Sequence, residues 1–156
     1  MKKALCIIFF FIALSSAYSQ EDKLMNALYV EVIGNGGLYS LNYEYQFLNK
    51  SLARVGVCIY PEAVTVPIMI GQLIGQSKDF LELGIGVTPI FYSGGSEANS
   101  GKALFLTGTI GYRYQKPDGR FLFRIGFTPL INIYEPTSED FDSFIPLGWI
   151  SFGFRF

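Results

Sequence analysis

The feature that most constrains the fold is an alternation of side-chain character with a period of two residues. The clearest case runs from residue 39 to residue 47, where the apolar set is Tyr39, Leu41, Tyr43, Tyr45 and Phe47 and the polar set between them is Ser40, Asn42, Glu44 and Gln46. Successive side chains of a β-strand point to opposite faces, whereas an α-helix repeats every 3.6 residues. The alternation therefore predicts an all-β fold whose strands have one apolar and one polar face.

Eight segments have this pattern or the spacing of a strand. We place them at residues 27–34, 37–48, 52–60, 64–75, 79–92, 102–115, 119–132 and 144–156. The segment 64–75 is apolar on both faces and contains Pro67, which removes a hydrogen-bond donor from a strand, so only its spacing indicates a strand. An even number of strands, several of them longer than nine residues, is typical of a small transmembrane barrel.

Apart from Asp79 and Lys102, which are the first residues of their segments, the charged residues inside the predicted strands fall on the polar face. An Arg or Lys on the lipid face of a barrel costs about 2–4 kcal/mol at the bilayer midplane, so we assign the polar face to the lumen and the apolar face to lipid. The lumen charges are then Glu31, Glu44, Glu82, Arg54, Arg113, Arg124 and Arg155. The interior of an eight-stranded barrel is just wide enough for side chains to fill it, and Arg pairs with a carboxylate through two parallel hydrogen bonds. We predict a structural ion-pair network that plugs the lumen.

The connections between the predicted strands alternate in length. Those after the second, fourth and sixth strands are short and polar, whereas those after the fifth and seventh run through residues 93–101 and 135–143. Short periplasmic turns and long external loops are expected when both chain termini lie in the periplasm. The short connections after the first and third strands depart from this rule without reversing it.

The N-terminal residues predict export. Lys2 and Lys3 precede an apolar run at residues 4–14, and small residues follow, as in a secretory signal peptide. This run is too short to span a bilayer as a helix, which needs roughly 20 residues. We predict a cleavable signal peptide over residues 1–19 and one barrel domain over residues 20–156.

The C-terminal strand resembles the assembly signal of bacterial outer-membrane β-barrels. In that signal a terminal Phe faces lipid together with apolar residues two, four and six positions before it. The corresponding residues are Phe156, Phe154, Phe152 and Ile150. The resemblance implies that the barrel assembly machinery recognises the chain through this strand.

Three segments resemble small outer-membrane β-barrel proteins of the Bacteroidetes type. They are residues 31–45, with the sequence Glu-Val-Ile-Gly-Asn-Gly-Gly-Leu-Tyr-Ser-Leu-Asn-Tyr-Glu-Tyr, residues 81–88, and the ending at Phe156. The resemblance covers nearly the whole chain after residue 19. It implies an eight-stranded antiparallel up-and-down barrel in the outer membrane of a two-membrane bacterium, and it transfers no catalytic residue.

The composition argues against catalysis and nucleic-acid binding. Outer-membrane hydrolases and acyltransferases rely on a His as general base, and this chain contains no His. After residue 19 only Cys58 remains of the two cysteines, so no thiol pair is predicted for redox or metal chemistry. Ten basic residues then face 13 acidic ones, a net charge of about −3, whereas a nucleic-acid partner normally requires a basic face. We predict no enzyme, cofactor, metal site or nucleic-acid partner; the acidic residues 135–142 are more typical of a solvated loop than of a cation site.

The sequence leaves three functions open. The first is an integral outer-membrane barrel, in contact with membrane lipid, that has a structural or interaction role and a lumen plugged by side chains. The second is a narrow channel or small-solute transporter. The third is a secreted, soluble, lipocalin-like carrier of an apolar ligand, which requires the apolar face inside the barrel.

Overall fold

The structure is a computed structural model that describes residues 24–47, 50–93, 100–134 and 143–156. These residues form nine strands: β1 (Asn26–Val32), β2 (Tyr39–Phe47), β3 (Ser51–Ile59), β4 (Ala63–Thr65), β5 (Ile68–Gln76), β6 (Asp79–Ser93), β7 (Ser100–Gln115), β8 (Phe121–Tyr134) and β9 (Phe144–Arg155). In the part of the chain described, no helix has the length and apolar character needed to cross a membrane.

The sheet closes on itself. Apart from β4 and β5, each strand pairs antiparallel with its sequence neighbours, and β1 also pairs with β9. β4 and β5 share one position, because both lie between β3 and β6. The result is a closed eight-stranded antiparallel up-and-down barrel, which confirms the predicted fold class.

The predicted single strand at residues 64–75 is wrong in one respect, because the structure divides it at Pro67. Pro67 lies opposite Gly56 of β3, and the Gly56 amide donates to the Pro67 carbonyl at 2.8 Å. Proline has no N–H with which to return a bond, so the ladder is interrupted there. The register is unchanged across the break, since Cys58 pairs with Thr65 and Val55 with Ile68.

The faces of the barrel are inverted relative to a water-soluble protein. Large apolar side chains point outward on every strand; Ile70, Ile85 and Phe152 are 62%, 55% and 50% exposed. Charged side chains point inward, and Glu82 and Arg124 are at most 1% exposed. This places the polar face in the lumen, the reverse of the arrangement that the carrier alternative requires.

The barrel has two different ends. The turn end carries the connections after β2, β5 and β7 together with the start of β1 and the end of β9. We call the opposite end the loop end. One side of the barrel extends further there, because β6 to β8 have 14 to 16 residues whereas β1 to β3 have seven to nine. On the inner surface of this side lies an apolar cluster of Ala103, Phe105 and Leu130.

Candidate functional site

Six of the seven lumen charges that the sequence singles out meet in one cluster, each contributed by a different strand. We call it the lumen network; its members are Glu31 of β1, Glu44 of β2, Arg54 of β3, Glu82 of β6, Arg113 of β7 and Arg124 of β8. All six side chains are at most 5% exposed. The alternation places them inward on their own strands, and closure of the barrel brings them together.

Glu82 is the centre of the network because its carboxylate contacts three guanidinium groups. Arg124 forms a bidentate pair with it, with Nε donating to Oε2 at 2.9 Å and Nη2 donating to Oε1 at 2.7 Å. Arg113 donates to Oε2 at 3.3 Å, and Arg54 donates to Oε1. A carboxylate offers about four lone-pair sites, so Glu82 is saturated with donors.

The other two carboxylates complete the pairing. Glu44 contacts Arg54 at 3.0 Å and Arg113 at 2.6 Å. Glu31 contacts Arg124 at 3.3 Å and accepts a hydrogen bond from the Ser151 hydroxyl at 3.3 Å. Three carboxylates thus face three guanidinium groups, and the network is formally neutral.

Aromatic rings enclose the most buried cation. The Arg124 guanidinium carbon lies 4.6 Å from the ring centre of Tyr29 and 4.5 Å from that of Trp149. Gly111 and Gly126 make room for the indole, because a Cβ at either position would lie within 2.7 Å of its ring atoms. Cation–π contact compensates in part for the lost hydration of the guanidinium.

Sequence reasoning missed these two rings. Tyr29 and Trp149 fall on the polar face by their position in the alternation, two residues before Glu31 and Ser151 respectively. The alternation indicates the face on which they lie, but it does not show that they contact Arg124. The detectable signal was the pair of glycines on the inward faces of β7 and β8, which leaves space that a large neighbour must fill.

Arg155 lies apart from the network. It is near the end of β9, and its guanidinium donates to the Lys116 carbonyl at 2.9 Å and to the Leu24 carbonyl at 2.5 Å. Arg155 therefore links two segments at the turn end of the barrel, the residues just before β1 and the turn after β7. Its place at the chain end, four residues beyond Ser151, explains why it does not reach the carboxylates.

Residues 33–38, which we call the inward loop, fold into the mouth at the loop end. Positive φ angles at Gly34 and Gly37 turn the chain inward, and Asn35 is buried. The Thr65 hydroxyl donates to the Gly36 carbonyl at 2.7 Å, and the Thr88 hydroxyl donates to the Asn35 carbonyl at 3.1 Å. The loop is therefore bonded to β4 and β6.

Three further hydrogen bonds fix the inward loop. The backbone amide of Asn35 donates to Glu31 Oε1 at 3.1 Å, which joins the loop to the lumen network. Tyr60 accepts from the Leu38 amide at 2.5 Å and donates to the Gly36 carbonyl at 3.3 Å. Burial raises the pKa of the Tyr60 phenol, so the phenol stays protonated and able to donate.

The arrangement stabilises charge rather than exposing reactive groups. Every carboxylate of the network is bound by at least one guanidinium group. Among the described residues no three acidic or Cys side chains are grouped to hold a metal ion, and Cys58 is buried with a free thiol. The geometry is that of an interior held together by ion pairs.

The four residues that the resemblance assigns to an assembly signal lie on the outer surface, three of them on β9 and Phe156 directly after it. Phe152 and Phe154 are each half exposed, and Phe156 is 37% exposed. The ring centres of Phe154 and Phe156 are 5.6 Å apart, and Phe152 lies 5.2 Å from Phe123 of β8. Ile150 continues this apolar row opposite Val32 of β1.

Comparison with known proteins supports the fold. No protein-family model and no curated protein matches the sequence. Among solved structures, the chain is similar to the N-terminal β-barrel domain of Pseudomonas aeruginosa OprF, with a TM-score of 0.61 and 11% sequence identity over 85% of this chain and 98% of that domain. At this identity the similarity shows the fold alone, that of a β-barrel domain.

Replacing Glu82 tests whether the network stabilises the barrel. We expect Glu82→Gln to lower the free energy of unfolding by about 3–5 kcal/mol, because it leaves three buried guanidinium groups with two carboxylates. The measurement is urea unfolding of the refolded barrel in detergent. Glu62→Gln, at an exposed acid in the turn after β3, is the matched control and should change the value by less than about 0.5 kcal/mol. A loss below about 1 kcal/mol for Glu82→Gln would contradict a stabilising network.

Proposed function

We propose that the protein is an integral outer-membrane β-barrel with a structural or interaction role and a plugged lumen. The inversion of its faces carries this proposal. The outer surface is apolar on every strand, whereas three carboxylates and three guanidinium groups are buried inside. A lipid bilayer is the solvent in which this distribution is stable, since contiguous apolar surface in water drives association.

Tyrosines near the strand ends support a membrane-spanning orientation. At the turn end, the Tyr112 hydroxyl donates to Asp79 Oδ1 at 2.5 Å, and the hydroxyl of Tyr43, from the middle of β2, reaches Asn26 Oδ1 at the start of β1 at 2.6 Å. At the loop end, the Tyr39 hydroxyl donates to the Ile59 carbonyl at 2.5 Å. Such rings, apolar at one side and polar at the tip, suit the boundary between hydrocarbon and headgroups.

The plugged lumen follows from three successive obstructions. The inward loop occupies the loop end, the lumen network fills the middle, and a buried apolar layer lies towards the turn end. That layer includes Leu52, Leu73 and Leu122, each at most 1% exposed. A barrel filled in this way acts through its surfaces and loops rather than through a pore.

Export and assembly complete the proposal. The signal peptide over residues 1–19 lies outside the described residues and remains a prediction. The outward row ending at Phe156 lies on β9, whose pairing with β1 closes the barrel. A strand in that position is suited to recognition by the barrel assembly machinery before the seam closes.

An Arg placed on the outer face distinguishes lipid from water. Ile85 is near the middle of β6 and 55% exposed. We expect Ile85→Arg to destabilise the barrel in phospholipid vesicles by about 2–4 kcal/mol, because a charge would enter the hydrocarbon. In Leu38→Arg, the same kind of change at an exposed residue outside the strands should be nearly neutral. Equal stability of the two variants in vesicles would contradict a lipid-facing surface.

A narrow channel is the second candidate, and the polar outer half of the lumen favours it. The hydroxyls of Thr107, Thr109 and Thr128 and the side-chain amide of Asn35 are buried without a hydrogen-bond partner among the described residues. Buried polar groups of this kind commonly bind internal water. For the barrel to conduct, a continuous water-filled path would have to pass the lumen network and the apolar layer.

Conductance in planar bilayers separates the two candidates. We expect the native barrel to show no discrete conductance steps. Arg113→Ala should also remain closed, because the inward loop and the apolar layer still block the lumen on either side of the network. Steady single-channel steps from the native protein would contradict the plugged lumen and support the channel.

A further inference from the structure

The turn end carries basic side chains that the lumen network does not use. They are Lys50, Lys78, Lys116 and Arg120, on the connections after β2, β5 and β7. Two acidic residues lie among them in the described part of the chain, Asp118 in the turn after β7 and Asp79 at the start of β6. Asp79 is engaged, since its carboxylate accepts a hydrogen bond from Tyr112. Among the described residues of the turn end, basic side chains therefore outnumber acidic ones, although the chain as a whole is acidic.

Two of these lysines line a cleft between neighbouring turns. We call it the lysine cleft; its volume is about 380 Å³, and its walls are Ser77, Lys78, Lys116, Pro117, Asp118 and Gly119. Two lysines face one carboxylate, Asp118, so the cleft has a net positive charge. The Ser77 hydroxyl adds a neutral donor to the same walls.

The walls of the cleft are fixed by hydrogen bonds from the barrel. The Lys116 carbonyl accepts from the Gly119 amide at 3.2 Å and from the Arg155 guanidinium at 2.9 Å. These bonds hold the turn that carries Lys116. On the other wall, the Lys78 ammonium lies 5.9 Å from the ring centre of Tyr114, an outward-pointing residue near the end of β7. The cleft thus opens beside the aromatic rings of the outer surface.

This position suggests the ligand. Aromatic residues at the ends of membrane strands lie at the headgroup boundary, so a basic cleft beside them lies at the depth of lipid phosphates. A lysine ammonium is a compact charge that binds phosphate, and basic residues near a membrane surface favour anionic lipid by about 1 kcal/mol each. We propose that the lysine cleft binds the phosphate of an anionic phospholipid headgroup. The inference rests on the proposed membrane location.

The test measures lipid selectivity of the full chain refolded in phosphatidylcholine bilayers. Spin-labelled phosphatidylglycerol and spin-labelled phosphatidylcholine report, by electron paramagnetic resonance, how strongly each lipid associates with the barrel. We expect the native protein to prefer phosphatidylglycerol. In the variant with both Lys78→Gln and Lys116→Gln, the preference for phosphatidylglycerol over phosphatidylcholine should fall about fivefold for each lysine removed. This is the equivalent of ~1 kcal/mol per lysine.

Lys102→Gln is the matched control. Lys102 lies at the loop end, with its ammonium 6.0 Å from the ring centre of Phe91, so its setting over an aromatic ring resembles that of Lys78. Removing this charge should leave most of the selectivity intact. A boiling-dependent mobility shift on a gel verifies that each variant folds.

Four results would overturn the assignment. Equal association of the two lipids with the native protein would reject the site and leave the membrane barrel standing. Selectivity retained by the double lysine variant would place the lipid elsewhere. Loss of selectivity in inorganic phosphate, but not in chloride of equal ionic strength, would indicate a site for free phosphate. Failure of the native chain to enter bilayers would reject both this inference and the proposed function.

Discussion

The neutral pairing of buried charges around Glu82 is the interaction on which the rest of the structure depends. Taking a carboxylate or guanidinium group out of water has a penalty of several kcal/mol per ion unless partners are present. The six members of the lumen network come from six different strands, so none of them is fully paired until the barrel has closed. Closure and neutralisation of charge are therefore one event.

The network also determines what each strand presents to its surroundings. Because side chains alternate, fixing Glu31, Arg54 or Arg124 inward forces their neighbours outward. The outward set is apolar on every strand, which makes the surface suited to lipid. The same interior anchors the mouth of the barrel, since Glu31 binds both Arg124 and the backbone of the inward loop. Charge inside, apolar surface outside and a closed loop end are thus linked through a few side chains.

The alternation predicted seven of the eight segments, because charges such as Glu44 and Glu82 must avoid lipid and so fix which face of a strand points inward; only spacing indicated the segment 64–75. It could not show that Pro67 divides one strand, since a missing donor permits either an interruption or a bulge. It also could not show that Asn35 turns into the lumen, because Asn-Gly-Gly indicates a turn but not its direction. The contacts of Tyr29 and Trp149 with Arg124 were not predicted, because they depend on which strands lie next to each other after the barrel closes.

The most direct test is the behaviour of the protein in membrane fractions. The outer membrane is extracted with detergent, and boiled and unboiled samples are compared on a gel. A lipid-embedded barrel with a charge-paired interior should be found in that fraction and should change mobility on boiling, because the closed sheet resists detergent until heated. Recovery of the protein in the soluble fraction without detergent, with no change of mobility, would contradict the account.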